Sequence, residues 1–160
     1  MRPRIGFGFD VHQLKKGHPF WLGGIKVEHD LGAFGHSDAD VLIHAICDAL
    51  LGAAALGDIG KHFPNNAEEF KGIDSKELLK RCMKLINGEG FEVGNVDCTL
   101  CLEKPKILPY VSSMVKTLCP LLKIGNKDLS IKATTNETLG YVGREEGVCA
   151  YASAIIFPKT

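Results

Sequence analysis

The sequence predicts an α/β (α+β) fold: a single-domain, mixed β-sheet with helices packed on one face. Three observations predict it. Stretches that alternate with period 2 are interleaved with stretches of helical period. No repeat, linker or low-complexity segment interrupts them. The length of 160 residues fits one domain, residues 1–160, large enough for a core of its own.

The elements follow in order. Residues 4–10 alternate, with Ile5, Phe7 and Phe9 on one side and Gly6, Gly8 and Asp10 on the other; His12 continues the Asp10 side. Residues 20–22 and 25–27 are two short strands around Gly23-Gly24, a hairpin or bulge signal. Ser37 and Asp40 stand at capping-box spacing and open a helix through Val41, Leu42, Ala45, Ile46, Ala49 and Leu50, expected to end near Gly57. Residues 74–87 form the clearest amphipathic helix, with Leu78, Leu79, Cys82, Met83 and Ile86 as its buried stripe. Val96, Cys98, Leu100 and Leu102 alternate as a strand. Pro109 suits the first turn of a third helix, which Pro120 is expected to end. Residues 129–134 and 148–157 read as closing strands.

Charge and cysteine usage narrow the function. Lys+Arg and Asp+Glu are 19 each, so the net charge of zero excludes a strongly basic nucleic-acid binder and a polybasic membrane anchor. The apolar helical stretch at 49–56 is far shorter than the ~20 residues a bilayer needs. The start, Met1-Arg2-Pro3-Arg4, has no apolar signal region. The six Cys sit mostly in apolar stretches and are expected as buried free thiols. Cys98 and Cys101 lie three apart on a strand, face opposite ways and make a poor metal clamp. A reduced, cytoplasmic compartment is expected.

Five of the six His fall in the first 44 residues. Asp10-Val11-His12 puts a carboxylate and an imidazole on one face of a strand, roughly 7 Å apart at the backbone. With His44 from the early helix they would make a two-His, one-carboxylate zinc site with an open position. The bland alternative for His44 is a polar helix residue paired with Asp48 one turn on. His36-Ser37 precedes the helix, where free N–H groups and the helix dipole suit a phosphate; simple capping by Ser37 is the alternative.

Several blocks together resemble the 2-C-methyl-D-erythritol 2,4-cyclodiphosphate synthase family. They are Gly8-Phe9-Asp10-Val11-His12, His36-Ser37-Asp38-Ala39-Asp40-Val41, the run from Asp48 through Gly57-Asp58-Ile59-Gly60, Gly94-Asn95-Val96-Asp97, Lys104-Pro105-Lys106-Ile107-Leu108-Pro109, Lys132-Ala133-Thr134-Thr135-Asn136-Glu137 and Leu139-Gly140-Tyr141-Val142-Gly143-Arg144. The resemblance covers nearly the whole chain. It implies conversion of 4-diphosphocytidyl-2-C-methyl-D-erythritol 2-phosphate to the 2,4-cyclodiphosphate with release of CMP, in the non-mevalonate isoprenoid pathway. It implies Zn²⁺ on Asp10, His12 and His44, and a second cation, Mg²⁺ or Mn²⁺, placed with Glu137. His36 and Thr135 match residues assigned to transition-state stabilisation. Ser37, Asp58, Ile59, Gly60, Phe63, Asn65, Tyr141 and Arg144 match substrate contacts. Leu102, Lys104, Pro105, Lys106, Ile107, Leu108, Ala133, Thr134 and Thr135 match nucleotide contacts.

The resemblance also implies a homotrimer with its sheets around the axis and active sites between subunits. An axial cavity would take an isoprenoid diphosphate, for which Phe9 and Arg144 are suited. A cytoplasmic location follows for a bacterial member, and the plastid stroma for one carrying an upstream transit peptide. Four positions depart from the family pattern. Asn65 stands for a common Asp, Ala39 for a common Gly, Phe7 for a frequent His, and Tyr151 for an acid that often pairs with the Arg matched by Arg144.

Overall fold

The first strand carries its apolar side chains outward and its glycines inward. In the computed structural model, which describes residues 2–159, β1 (Arg4–Lys16) leaves Ile5 77% and Phe7 64% exposed, with Phe9 and Val11 on the same open side. Gly6 and Gly8 lie under the helix α1 (Val41–Ala53). A Cβ on Gly6 would stand 1.8 Å from the Ala49 carbonyl oxygen, and one on Gly8 2.0 Å from that of Ala45. Only glycine permits this approach of helix to strand. Met1 and Thr160, the ends of the expected domain, lie outside the described residues.

The sheet runs β4 (Leu31–Phe34), β1, β7 (Gly147–Pro158), β5 (Phe91–Cys101), β6 (Leu129–Thr134). Neighbours are antiparallel except β5 and β6, which are parallel, so the sheet is mixed as expected. Its inner face shares one core with α1, α3 (Ser75–Gly88) and α4 (Leu108–Leu122). β2 (Phe20–Leu22) and β3 (Ile25–Val27) form the hairpin at the expected bounds. Two short helices add to this: α2 (Ile59–His62), and α5 (Gly140–Gly143) on the outer face, where Val142 packs with Cys101 and Cys149. Cys98 points instead into the main core, so the two Cys of the CxxC do face opposite ways. All six Cys are free and buried, and burial pushes the Cys98 thiol up to about 12.

Three local expectations need correction. The cap of α1 is Asp40 alone, whose side chain accepts the Ile43 N–H; Ser37 is drawn away toward His44. That helix stops at Ala53 rather than near Gly57, because Ala55 and Gly57 take left-handed backbone (φ 59° and 93°). Pro120 lies inside α4 and does not end it; Lys123, at φ 58°, does. Pro120 and Lys116 are both exposed, so the missing N–H falls on the solvent side of the helix, where its loss is tolerated.

The register sets the functional end of the sheet. Asp10 pairs with Ala150, Ala150 with Leu100, and Leu100 with Ala133, so the four lie in one row across β1, β7, β5 and β6. Three strand spacings separate its ends, about 14 Å.

Candidate active site and metal centre

The Asp10, His12 and His44 side chains converge at one end of that row. β1 supplies Asp10 and His12 from the glycine side, and α1 lies close enough to supply His44. Each offers a donor atom within 4.8 Å of the others. Asp10 Oδ2 is 2.9 Å from His12 Nδ1 and 3.1 Å from His44 Nδ1. Among the described residues His12 Nδ1 is buried and has no hydrogen-bond partner of good geometry, although Asp10 Oδ2 stands 2.9 Å away. A buried imidazole nitrogen left over beside a carboxylate and a second imidazole is the donor set of a divalent cation, and the residues fit one. The packing is tight: a Cβ on Gly35 would meet His12 Cδ2 at 2.8 Å.

The electrostatics point the same way. Burial favours a neutral Asp10, yet the contacts and charges of His12 and His44 together hold its carboxyl below the ordinary range. Burial also opposes charge on His44, but the hydrogen bond and charge of Asp10, with Asp40 and Asp38 behind it, raise its pKa above the usual imidazole value. The cradle therefore favours positive charge. The expected alternative for His44, pairing with Asp48, does not form. Asp48 Oδ1 instead accepts the Ile59 N–H at 2.7 Å and holds the start of α2 beside the site.

Around these three side chains opens a cleft of about 290 Å³, lined among others by His36, Ser37, Ile59, Phe63 and Asn65. His36 Nε2 approaches the Ala67 carbonyl oxygen at 3.3 Å, and Phe63 stacks edge-on against Phe70. Asp58 caps α2 by accepting the Lys61 N–H; neither it nor Gly60 lines the cleft.

A second cleft of about 80 Å³ lies at the β6 end of the row, lined by Leu102, Glu103, Pro105, Lys106, Ile107, Ala133, Thr134 and Thr135. Lys104 turns away to Glu145, 3.0 Å, and Leu108 is exposed at the start of α4. Glu137 lies beside this cleft: its N–H donates to Thr135 Oγ1, which in turn donates to Glu137 Oε1 at 3.4 Å. Glu137 and Thr138 both have left-handed backbone, unusual for a β-branched threonine.

Within one chain His36 and Thr135 belong to different clefts. Tyr141 and Arg144 line neither; they sit on and after α5, where Arg144 makes two hydrogen bonds to Glu146. Phe9 packs on Tyr151, with ring centroids 5.0 Å apart. Sequence reasoning missed Gly35, Asp48, Ser75 and Glu103. Asp48 had a signal, one turn after His44; Ser75 had none, since it reads as an ordinary first residue of α3.

Comparison with known proteins places these clefts in context. A Phocaeicola vulgatus protein named 2-C-methyl-D-erythritol 2,4-cyclodiphosphate synthase is 60% identical over 156 residues, 98% of each chain. One of the same name from Bacteroides fragilis is 57% identical, again over 98% of each. The CDP-bound form of a 2C-methyl-D-erythritol-2,4-cyclodiphosphate synthase superposes with a TM-score of 0.89 at 33% identity, covering 96% of this chain and 100% of that one. A Plasmodium falciparum protein in complex with CDP gives 0.87 at 31% identity over 99% and 98%. With the sequence pattern of the YgbB family matching residues 3–157, almost end to end, this chain belongs to the YgbB family.

Proposed function

We propose that this chain converts 4-diphosphocytidyl-2-C-methyl-D-erythritol 2-phosphate to 2-C-methyl-D-erythritol 2,4-cyclodiphosphate and CMP, as a cyclising phosphorus–oxygen lyase of isoprenoid biosynthesis. One observation carries the reading: a three-ligand cation cradle and a cleft built from the Lys-Pro-Lys and Thr-Thr segments stand at one end of one sheet.

An oxygen of the 2-phosphate forms a bond to the β-phosphorus. The bond from that phosphorus to the CMP oxygen breaks, and its electron pair leaves with CMP. A phosphate monoester is largely dianionic near neutral pH, with a second pKa of about 6, so no strong base is required. The obstacle is repulsion: two unit charges 4 Å apart cost about 4 kcal/mol at an effective dielectric near 20. Asp10, His12 and His44 would hold Zn²⁺, and Glu137 would help to hold Mg²⁺ or Mn²⁺; these cations supply charge that offsets that repulsion. His36 from the first cleft and the Thr135 hydroxyl from the second are assigned to the transferring phosphoryl group, and Lys106 to the nucleotide phosphates. Ser37, Asp58, Ile59, Gly60, Phe63 and Asn65 are assigned to the methylerythritol. Leu102, Lys104, Pro105, Ile107, Leu108, Ala133 and Thr134 are assigned to the cytidine diphosphate, with Tyr141 and Arg144 as further contacts. The remaining work is bending the substrate so that attack is in line.

The working unit we infer is a trimer in which the metal cleft of one copy meets the nucleotide cleft of the next. Ile5, Phe7, Phe9, Val11 and Tyr151 form an exposed apolar face on β1 and β7, of the kind buried between subunits. An isoprenoid diphosphate on the axis would meet Arg144 and Phe9. Six reduced thiols favour the cytoplasm, and among the described residues no helix is long and apolar enough to cross a membrane. The test is incubation with the substrate and Mg²⁺, with products followed by phosphorus NMR. Cyclic diphosphate and CMP are expected. Inorganic phosphate would indicate a metallohydrolase, and unchanged substrate a nucleotide binder without chemistry.

A further inference from the structure

Behind His44, on the side away from Asp10, lies a chain of side chains that the proposed reaction does not use. Ser75 is fully buried, and its Oγ is 2.9 Å from His44 Nε2. The same hydroxyl donates to Asp38 Oδ1 in a short hydrogen bond. Asp38 is fixed in turn: Oδ2 accepts the Ser75 N–H at 2.9 Å and Oδ1 the Asp40 N–H at 3.1 Å. We propose that Asp38 and Ser75 form a relay that keeps a proton on His44 Nε2, so that Nδ1, which shares its proton with Asp10 in the metal-free chain, is the nitrogen left to a cation.

The direction follows from counting protons. A carboxylate has only acceptors. Ser75 has one hydroxyl proton, and Asp38 takes it. Oγ is then left with lone pairs alone for His44, so Nε2 must be the nitrogen that carries N–H. Ser37 Oγ, 3.2 Å from the same Nε2, accepts the Ala39 N–H and adds a second acceptor there. The relay spans three segments, the turn before α1, α1 itself and the first residue of α3, so the cradle is oriented by tertiary contacts. Ser75 and Asp38 are positioning residues; they touch neither the cation nor the substrate. The inference rests on Asp10, His12 and His44 being the cation ligands, and it deepens that assignment.

Asp38→Asn is the discriminating change. The amide nitrogen can donate to Ser75 Oγ and release the serine proton toward Nε2. That favours the tautomer with its proton on Nδ1, where a cation needs a lone pair. Zinc affinity, measured by chelator competition on the folded variant, is expected to fall about 10- to 100-fold, the range for outer partners of a metal-bound histidine. Ser75→Ala is expected to weaken binding less, because Ser37 still accepts from Nε2. A purely structural role predicts instead a lower melting temperature with unchanged zinc affinity, and that result would overturn the relay. Should the variants not fold, the parent protein decides the matter. In zinc-loaded protein labelled with nitrogen-15 histidine, His44 is expected to show a protonated Nε2 and a metal-bound Nδ1. A metal-bound Nε2 would sink the proposal. Zinc held through Nδ1 without cyclic product would overturn the proposed reaction and leave the relay standing.

Discussion

The two clefts at the end of the sheet are built in opposite ways. The metal cleft is knitted from buried groups. Asp40, fully buried, accepts from Gly23, Gly24 and Ile43 and pins the β2–β3 hairpin to α1, while Asp38 and Ser75 brace His44. The nucleotide cleft is a shallow edge. Its loops are tied by Glu103 to the Asn136 N–H and by Lys104 to Glu145, and its Thr135–Glu137 pair is exposed. One half is finished within a single chain, and the other offers an open surface. On the proposed function, rigidity lies where a cation would be held and openness where a nucleotide would enter and leave.

Substitutions in each cleft test that contrast. The largest effect is expected from His44→Ala, which removes a ligand and should cost more than the about 100-fold that loss of an outer partner costs, in both zinc affinity and turnover. Retained zinc and turnover would show that the knitted half is not the reactive one. Next is Gly8→Ala. Its Cβ would lie 2.0 Å from the Ala45 carbonyl oxygen, a backbone atom that cannot step aside, so about 3 kcal/mol of destabilisation is expected in a denaturant titration. The third is a pH dependence. His44 has a raised pKa, so a proton competes with the cation for Nδ1 beginning above the ordinary value of 6.5. Metal affinity should fall as pH drops through that range, about tenfold per unit. A flat profile from about pH 8 to 5 would contradict the Asp10–His44 coupling.

Smaller effects belong to the edge. Glu103→Ala removes one hydrogen bond to a loop amide and should weaken CDP binding about fivefold by calorimetry, with zinc affinity unchanged. A change in both would mean that the two clefts do not act independently. The smallest is Ala39→Gly. Ala39 sits at φ 57° with its side chain fully buried, so relief of backbone strain is nearly offset by lost packing and chain entropy. A stabilisation of about 0.5 kcal/mol or less is expected.

Much of this was legible beforehand, for identifiable reasons. Gly23-Gly24 between Phe20-Trp21-Leu22 and Ile25-Lys26-Val27 marks a hairpin by local chemistry alone, and its strands lie at the expected bounds. Asp10 and His12 share a face by strand period. What escaped depended on distant partners. Ser37 and Asp40 both qualify locally as caps, and only the burial of Asp40 beneath Gly23 and Gly24 decides between them. β4 was missed because Leu-Gly-Ala-Phe carries no strand preference; it is a strand because the far end of β1 needs a neighbour. Pro120 reads as a helix end unless one knows that it lies on the exposed side of α4. Ser75 acquires meaning only when α3 is laid beside α1.

Gly6 and Gly8 have one more consequence. The spacing between β1 and α1, and so the separation of Asp10 from His44, is set by backbone resting on backbone rather than by interdigitating side chains. Sequence drift in the core, a leucine becoming an isoleucine or a valine a methionine, has no lever on that separation. The reactive centre is thereby insulated from the mutations a core accepts most readily. The strand-to-helix spacing itself is vulnerable chiefly at these two positions, which tolerate no side chain.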